Sequence, residues 1–192
     1  MREMRGQFQA GPAVAGLCGG PAWIQHMLRA VTKTIAGWGN FPLERCCVYR
    51  PEKRSEVAAL LAAEHPPTTI ARGLGRSYGD AALNRDHGVM IQSQLNRFLS
   101  FDEAEGVLEC EAGTSLAEII AVLLPRGFFP RVVPGTRFIT VGGAIAADVH
   151  GKNHHRDGSF AGCVVDLTLL TPSGVVWTCS PHQNADVYWA TI

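Results

Sequence analysis

The sequence predicts an α+β protein built as two lobes. Three observations carry this expectation. Residues 46–92 read as strand, helix, strand and strand. Residues 94–192 read as two pairs of strands around one strongly amphipathic helix. Two glycine-rich stretches, Arg72–Asp80 and Pro134–His154, each follow an extended segment. A chain of 192 residues can bury a real core as one large domain or two small lobes. Its 46% hydrophobic and 18% charged residues describe a globular rather than a disordered chain.

Taken in order, residues 1–36 show no convincing pattern beyond a short helix expected near Trp23–Ile35, and they read as a poorly ordered leader. The apolar part of Ala10–Ile24 is broken by Gly16, Gly19, Gly20 and Pro21, which argues against a signal peptide. Pattern begins at Gly37-Trp38-Gly39-Asn40. Cys46–Tyr49 is a strand. Pro51–Glu64 is a helix, with Pro51 near its start and Val57, Leu60 and Leu61 on one face. Pro66-Pro67 ends it, Thr68–Ala71 and Val89–Gln92 are strands, and the first glycine stretch lies between them. This is a small β-α-β-like lobe over residues 37–93.

The second lobe, residues 94–192, opens with strands Arg97–Phe101 and Val107–Glu111 joined by an acidic turn. Ser115-x-x-Glu118 is a capping box. Leu116, Ile119, Ile120, Leu123 and Leu124 then recur at helical spacing up to Gly127. Phe128–Val133 is extended. Val164–Leu170 and Val175–Cys179 form a hairpin around Pro172-Ser173-Gly174, and Asn184–Ala190 starts a helix.

Several function classes fall away on composition. The formal net charge is zero, which does not suit an electrostatic binder of nucleic acid. No run reaches the roughly 20 apolar residues of a membrane span. The six cysteines form no C-x-x-C pair, so zinc-ribbon and thioredoxin chemistry are not indicated, and those in apolar runs suit reduced, buried thiols in a cytoplasmic setting.

The glycine stretches are the chemical signal. In Arg72-Gly73-Leu74-Gly75-Arg76-Ser77-Tyr78-Gly79-Asp80, glycines allow positive φ and close approach of a ligand to main-chain N–H groups, as a phosphate or pyrophosphate requires. Arg72, Arg76 and Ser77 can add donors. The spacing is not the G-x-G-x-x-G of a Rossmann unit, and there is no Walker lysine. A purely structural glycine turn reads equally from these residues alone. In the second stretch, Gly142 to Ala147 are small or apolar, which suits either a wall pressed against a flat ring or a tightly packed helix start. Asp148, His150, Lys152, Asn153, His154 and His155 then crowd into eight residues, a density typical of a site edge. His150 and His154 have zinc-like i, i+4 spacing, but Gly151 and Asn153 disfavour a helix there, and no metal is expected.

These runs, with Pro134-Gly135-Thr136-Arg137 and Thr140-Val141-Gly142-Gly143-Ala144-Ile145-Ala146, resemble the FAD-linked oxidase family with the vanillyl-alcohol-oxidase, or PCMH-type, FAD-binding domain. The resemblance runs from about Gly37 to Ile192. It implies a two-lobed fold with FAD between the lobes. The segment Ala71, Arg72, Gly73, Leu74, Gly75, Arg76, Ser77, Tyr78, Gly79, Asp80 and Ala81 would wrap the pyrophosphate. Gly135, then Thr140, Val141, Gly142 and Gly143, then Ala147, Asp148, Val149 and His150 would line the adenosine and flavin portions. Covalent members often carry a histidine where Tyr78 stands, so noncovalent FAD is implied. His150, Lys152 and Tyr78 would be the catalytic side chains.

Within the family the likeness is greatest to the branch that oxidises the ribose 2′-hydroxyl of a polyprenyl-phosphate sugar by hydride transfer to flavin. That implies a partner short-chain reductase to complete epimerisation to arabinose, and a location in the cytoplasm or peripherally at a membrane. A sugar-lactone or alditol oxidase, or a noncatalytic FAD-binding remnant, are the alternatives. Family members continue past Trp189-Ala190-Thr191-Ile192 into a substrate-binding domain, so this chain reads as the FAD-domain portion, truncated at its C-terminus.

Overall fold

The computed structural model describes residues 30–63 and 68–192. Its first sheet has the order β1-β2-β4-β3, with β1 Val31–Ala36, β2 Leu43–Tyr49, β3 Thr69–Arg72 and β4 Gly88–Ile91. β1 and β2 are antiparallel, from Val31 opposite Val48 to Ala36 opposite Leu43, whereas β4 runs parallel to both β2 and β3.

β1 corrects one expectation. Of the helix expected over Trp23–Ile35, residues 31–35 are strand, and residues 23–29 lie outside the described residues. The reason is side-chain shape. Val31, Thr32, Thr34 and Ile35 are β-branched, stiff at χ1 and suited to a pleated surface, and six residues of β2 offer them a ladder.

The centre of this sheet is apolar on both faces. Cys46, Cys47, Val48 and Tyr49 are fully buried. On one face Cys47, Tyr49 and Met90 pack against Val57 and Leu60 of helix α1, Arg54–Leu61. On the other, Cys46, Val48 and Val89 pack with Ile35, Ile70 and Ile91. α1 is shorter at its start than expected because Lys53, not Pro51, is the extended residue before its first turn. β3 and β4 lie within a residue of the expected strands. Because they are parallel, the chain must return between them, and residues 73–87 make that return. This topology sets the first glycine stretch just beyond the C-terminal end of β3.

The remainder is helices and two small antiparallel sheets. β5, Phe98–Asp102, pairs with β6, Val107–Cys110, across a turn in which the Asp102 carboxylate accepts from the N–H groups of Ala104 and Glu105. Helix α2, Leu116–Leu123, has the expected capping box: Ser115 Oγ accepts from Glu118 N–H, and the Glu118 carboxylate accepts from Ser115 N–H at 2.7 Å. Its buried stripe of Leu116, Ile119 and Leu123 meets Val132, Ile139, Ala144 and Phe160. A 3₁₀ turn, Leu124–Arg126, ends at Gly127 in the left-handed conformation.

Helices α3, Val141–Ala146, and α4, His154–Asp157, follow; Phe128–Val133 joins no sheet. β7, Leu167–Leu170, and β8, Val176–Cys179, form the expected hairpin, though β7 begins late because Phe160–Cys163 is a 3₁₀ turn. Helix α5, Ala185–Thr191, is anchored by Tyr188, whose buried ring donates its hydroxyl to Val164 O at 2.9 Å. Cys46, Cys110, Cys163 and Cys179 are free thiols, as expected; Cys47 is the exception, its sulfur being in a disulfide. Among the described residues no helix is long and apolar enough to cross a membrane.

Candidate cofactor site

The first glycine stretch is a loop without internal hydrogen bonding. Among the described residues, none of the eight backbone N–H groups from Gly73 to Asp80 donates a hydrogen bond. Gly75 and Gly79 have φ of +66° and +61°, the left-handed conformation that glycine adopts without steric cost. Most of this segment is exposed, Tyr78 to 74%.

The loop is held from outside. Trp38 N–H donates to Ser77 O at 2.8 Å. Arg76 donates to Phe138 O at 3.0 Å, and its guanidinium lies 4.5 Å above the Trp38 ring. Arg72 donates to Ala82 O at 3.0 Å and to Ala36 O at 2.6 Å. Burial pulls the Arg72 guanidinium below its usual range. The guanidiniums of Arg72 and Arg76, expected as added phosphate donors, both donate to main-chain carbonyls, Arg72 through both terminal nitrogens and Arg76 through Nε. The Gly37-Trp38 segment is the part of the site that sequence reasoning passed over. A Gly-Trp-Gly run with no apolar period was its signal.

The two glycine stretches meet. Gly73 lies so close to Thr140 that a Cβ there would collide with the Thr140 hydroxyl. Thr140 caps α3, accepting from Gly143 N–H at 3.2 Å. The other early N–H groups of that turn are also engaged, Val141 with Thr114 O and Gly142 with Ala112 O, both at 2.8 Å. α3 therefore offers a surface rather than donors: Gly143, Ala146 and Ala147 are exposed and carry no bulky side chain.

Beyond it the expected residues divide in use. Asp148, at φ +36°, accepts from Ala161 N–H at 2.9 Å, so its carboxylate braces the following turn. Asn153 donates to Arg131 O at 3.1 Å and to Asp157 at 2.6 Å. The Asp157 carboxyl is held below its ordinary value by its hydrogen bond to Arg156, then by Asn153, against a smaller effect of desolvation. His150 and Lys152 are exposed. The His150 ring stands edge-on to His154 at 5.3 Å, and His154 to His155 at 6.2 Å. Among the described residues no three His, Cys, Asp or Glu side chains converge as metal ligands would. No hydrogen bond or ring contact joins Tyr78 to His150 or Lys152 among the described residues.

These residues fit a flavin dinucleotide. Eight N–H groups unbonded among the described residues suit the negative oxygens of a pyrophosphate, and an exposed helix surface of small side chains suits a broad ring. An open cleft of about 620 Å³ elsewhere is lined in part by Arg54 and Arg97, both paired with the buried Glu111. A family model described as FAD binding domain matches residues 46–180. The chain belongs to this family.

Among its relatives is decaprenylphosphoryl-beta-D-ribose oxidase of Mycolicibacterium smegmatis, 41% identical over 165 residues, covering 84% of this chain and 36% of the relative. L-gulonolactone oxidase of Bos taurus is 29% identical over 149 residues, covering 76% of this chain and 34% of the relative. The mitochondrial D-2-hydroxyglutarate dehydrogenase of Bos taurus is 28% identical over 141 residues, covering 71% of this chain and 26% of the relative. The chain thus spans about a third of the length of the curated relatives it matches. FAD is the cofactor of this FAD-binding domain.

Proposed function

We propose that residues 37–192 form the two-lobed FAD-binding part of an oxidase acting on the ribose 2′-hydroxyl of a polyprenyl-phosphate sugar. The observation that carries the cofactor's placement is the run of eight unbonded N–H groups from Gly73 to Asp80. In this reading they line the pyrophosphate. Thr140, the exposed backbone of α3 and the Ala147–His150 turn line the remainder of the cofactor. FAD is held without a covalent bond, Tyr78 standing where covalent members carry a histidine.

Bound flavin supplies a two-electron acceptor. The protein supplies orientation and polarity. Lys152 and His150 lie exposed just after the small-residue wall, where the ammonium can donate to and offset charge on the sugar oxygen or its phosphate, and the imidazole can accept a hydrogen bond from the sugar hydroxyl. The choice of sugar is supported by 41% identity to a decaprenylphosphoryl ribose oxidase. The rest of the substrate pocket would come from sequence that such relatives carry beyond the aligned third. A peripheral membrane contact and a short-chain reductase partner belong to the same reading.

The test is anaerobic. The FAD-loaded chain is mixed with polyprenylphosphoryl ribose, and in parallel with L-gulonolactone, and the flavin's visible absorbance is followed. Bleaching by the ribose lipid alone is the expected result once the substrate-binding sequence of a relative is supplied in cis. Bleaching by the lactone alone would move the assignment to a sugar-lactone oxidase. FAD binding with no bleaching by either would leave a noncatalytic FAD-binding module.

A further inference from the structure

Arg72 sits at the end of β3, inside the curve of the loop that follows it. Its two terminal nitrogens reach carbonyls that belong to different segments: Ala36, the last residue of β1, and Ala82, past the far end of the glycine stretch. Gly75 packs onto the same guanidinium, so that a Cβ there would collide with Nη2 and come within 2.8 Å of Cζ. The loop from Gly73 to Asp80 has no donor N–H bonded to any described residue, so no ladder fixes its shape. Its other ties, Trp38 to Ser77 and Arg76 to Phe138, grip the middle of the loop. Arg72 alone among these joins its beginning to its end.

We propose that Arg72 is a positioning residue that never touches the cofactor: its guanidinium is the former around which the Gly73–Asp80 loop is bent, with Gly75, whose φ of +66° itself favours glycine, packed onto it. This rests on the reading that the loop holds FAD. It reverses the first expectation for an arginine in a glycine-rich loop, which is a direct, forked contact with phosphate. The geometry separates the two roles. A phosphate ligand needs charge near the anion, which lysine also supplies. A clamp needs a rigid planar fork whose two ends hold carbonyls of separate segments, whereas lysine offers one compact nitrogen with rotating donors.

Four proteins test this: the full chain and its Arg72→Lys, Arg72→Ala and Gly75→Ala variants. FAD affinity is read from quenching of flavin fluorescence, and loop order from the rate of tryptic cleavage after Arg76 without FAD. The clamp predicts that Arg72→Lys weakens FAD about tenfold or more, the scale of one lost charge-assisted hydrogen bond. Gly75→Ala should do the same with Arg72 still present. Both variants should be cleaved faster after Arg76 in the absence of FAD. Millimolar guanidinium should restore affinity to Arg72→Ala, and methylammonium should not.

Wild-type affinity in Arg72→Lys, or equal rescue by methylammonium, would overturn the proposal in favour of a charge at the phosphate. Unchanged cleavage in both variants would overturn it as well. If the wild-type chain bound no FAD, the loop's assignment to the cofactor would fall, while the cleavage rates would still decide whether Arg72 shapes the loop.

Discussion

Gly73 and Thr140 are far apart in sequence and in contact in space, and that contact joins the two glycine stretches into one site. The hydroxyl of Thr140 is already committed to the first turn of α3, so it cannot move aside freely. Gly73→Ala is therefore expected to force either the loop or the cap to shift. The cost is that of overpacking a tight contact, about 1–3 kcal/mol, read as a lower denaturation midpoint with unchanged slope.

Residues of this kind were only partly legible. The composition of Gly142–Ala147 fitted either a wall against a flat ring or a tightly packed helix start, and the structure shows the helix start, α3, with Ala144 buried. Nothing in the pattern foretold that the arginines of the first stretch would be bonded to Ala36, Ala82 and Phe138. Those partners are main-chain carbonyls, which carry no side-chain signature. The bond of Asp148 was illegible for a related reason. Its carboxylate answers a backbone N–H thirteen positions on, a pairing set by a positive-φ turn rather than by spacing.

At the scale of elements, α2 was legible because three signals agree: a capping box, a helical apolar stripe and a terminal glycine. β1 was misread because a single strand has no local hydrogen bonds to advertise it; its partner β2 makes it a strand. The α2 cap has a pH signature. Burial of Glu118 opposes ionisation, but hydrogen bonds from Ser115 and Asn96 outweigh it and hold its carboxyl below the usual value. A depressed carboxyl contributes stability that is complete above its unfolded value near ~4.3 and fades as pH falls through the lower folded value. Glu118→Gln is thus expected to lower Tm at pH 7 and to converge on the wild type in acid. A gap that persists undiminished at pH 3 would contradict this. Ser115→Ala should cost about 1 kcal/mol at neutral pH in thermal or denaturant unfolding.

On the scale of the whole chain, the parallel pairing of β3 with β4 is the feature from which the site follows. It forces the return loop to the C-terminal end of the strands, and α3 is set against that loop by the packing of α2 on Ala144 and Ile139. The α+β class and most strands could be read from periodicity. Two separate two-stranded sheets could not, because the pattern of each hairpin is the same whether or not it joins a larger sheet. In the proposed site, FAD's pyrophosphate lies along the N–H groups of Gly73–Asp80. The most direct measurement is an amide-resolved NMR titration of the chain with FAD. The N–H resonances from Gly73 to Asp80 are expected to shift most and to gain protection from exchange. Saturable FAD binding that leaves those eight amides unmoved would contradict it.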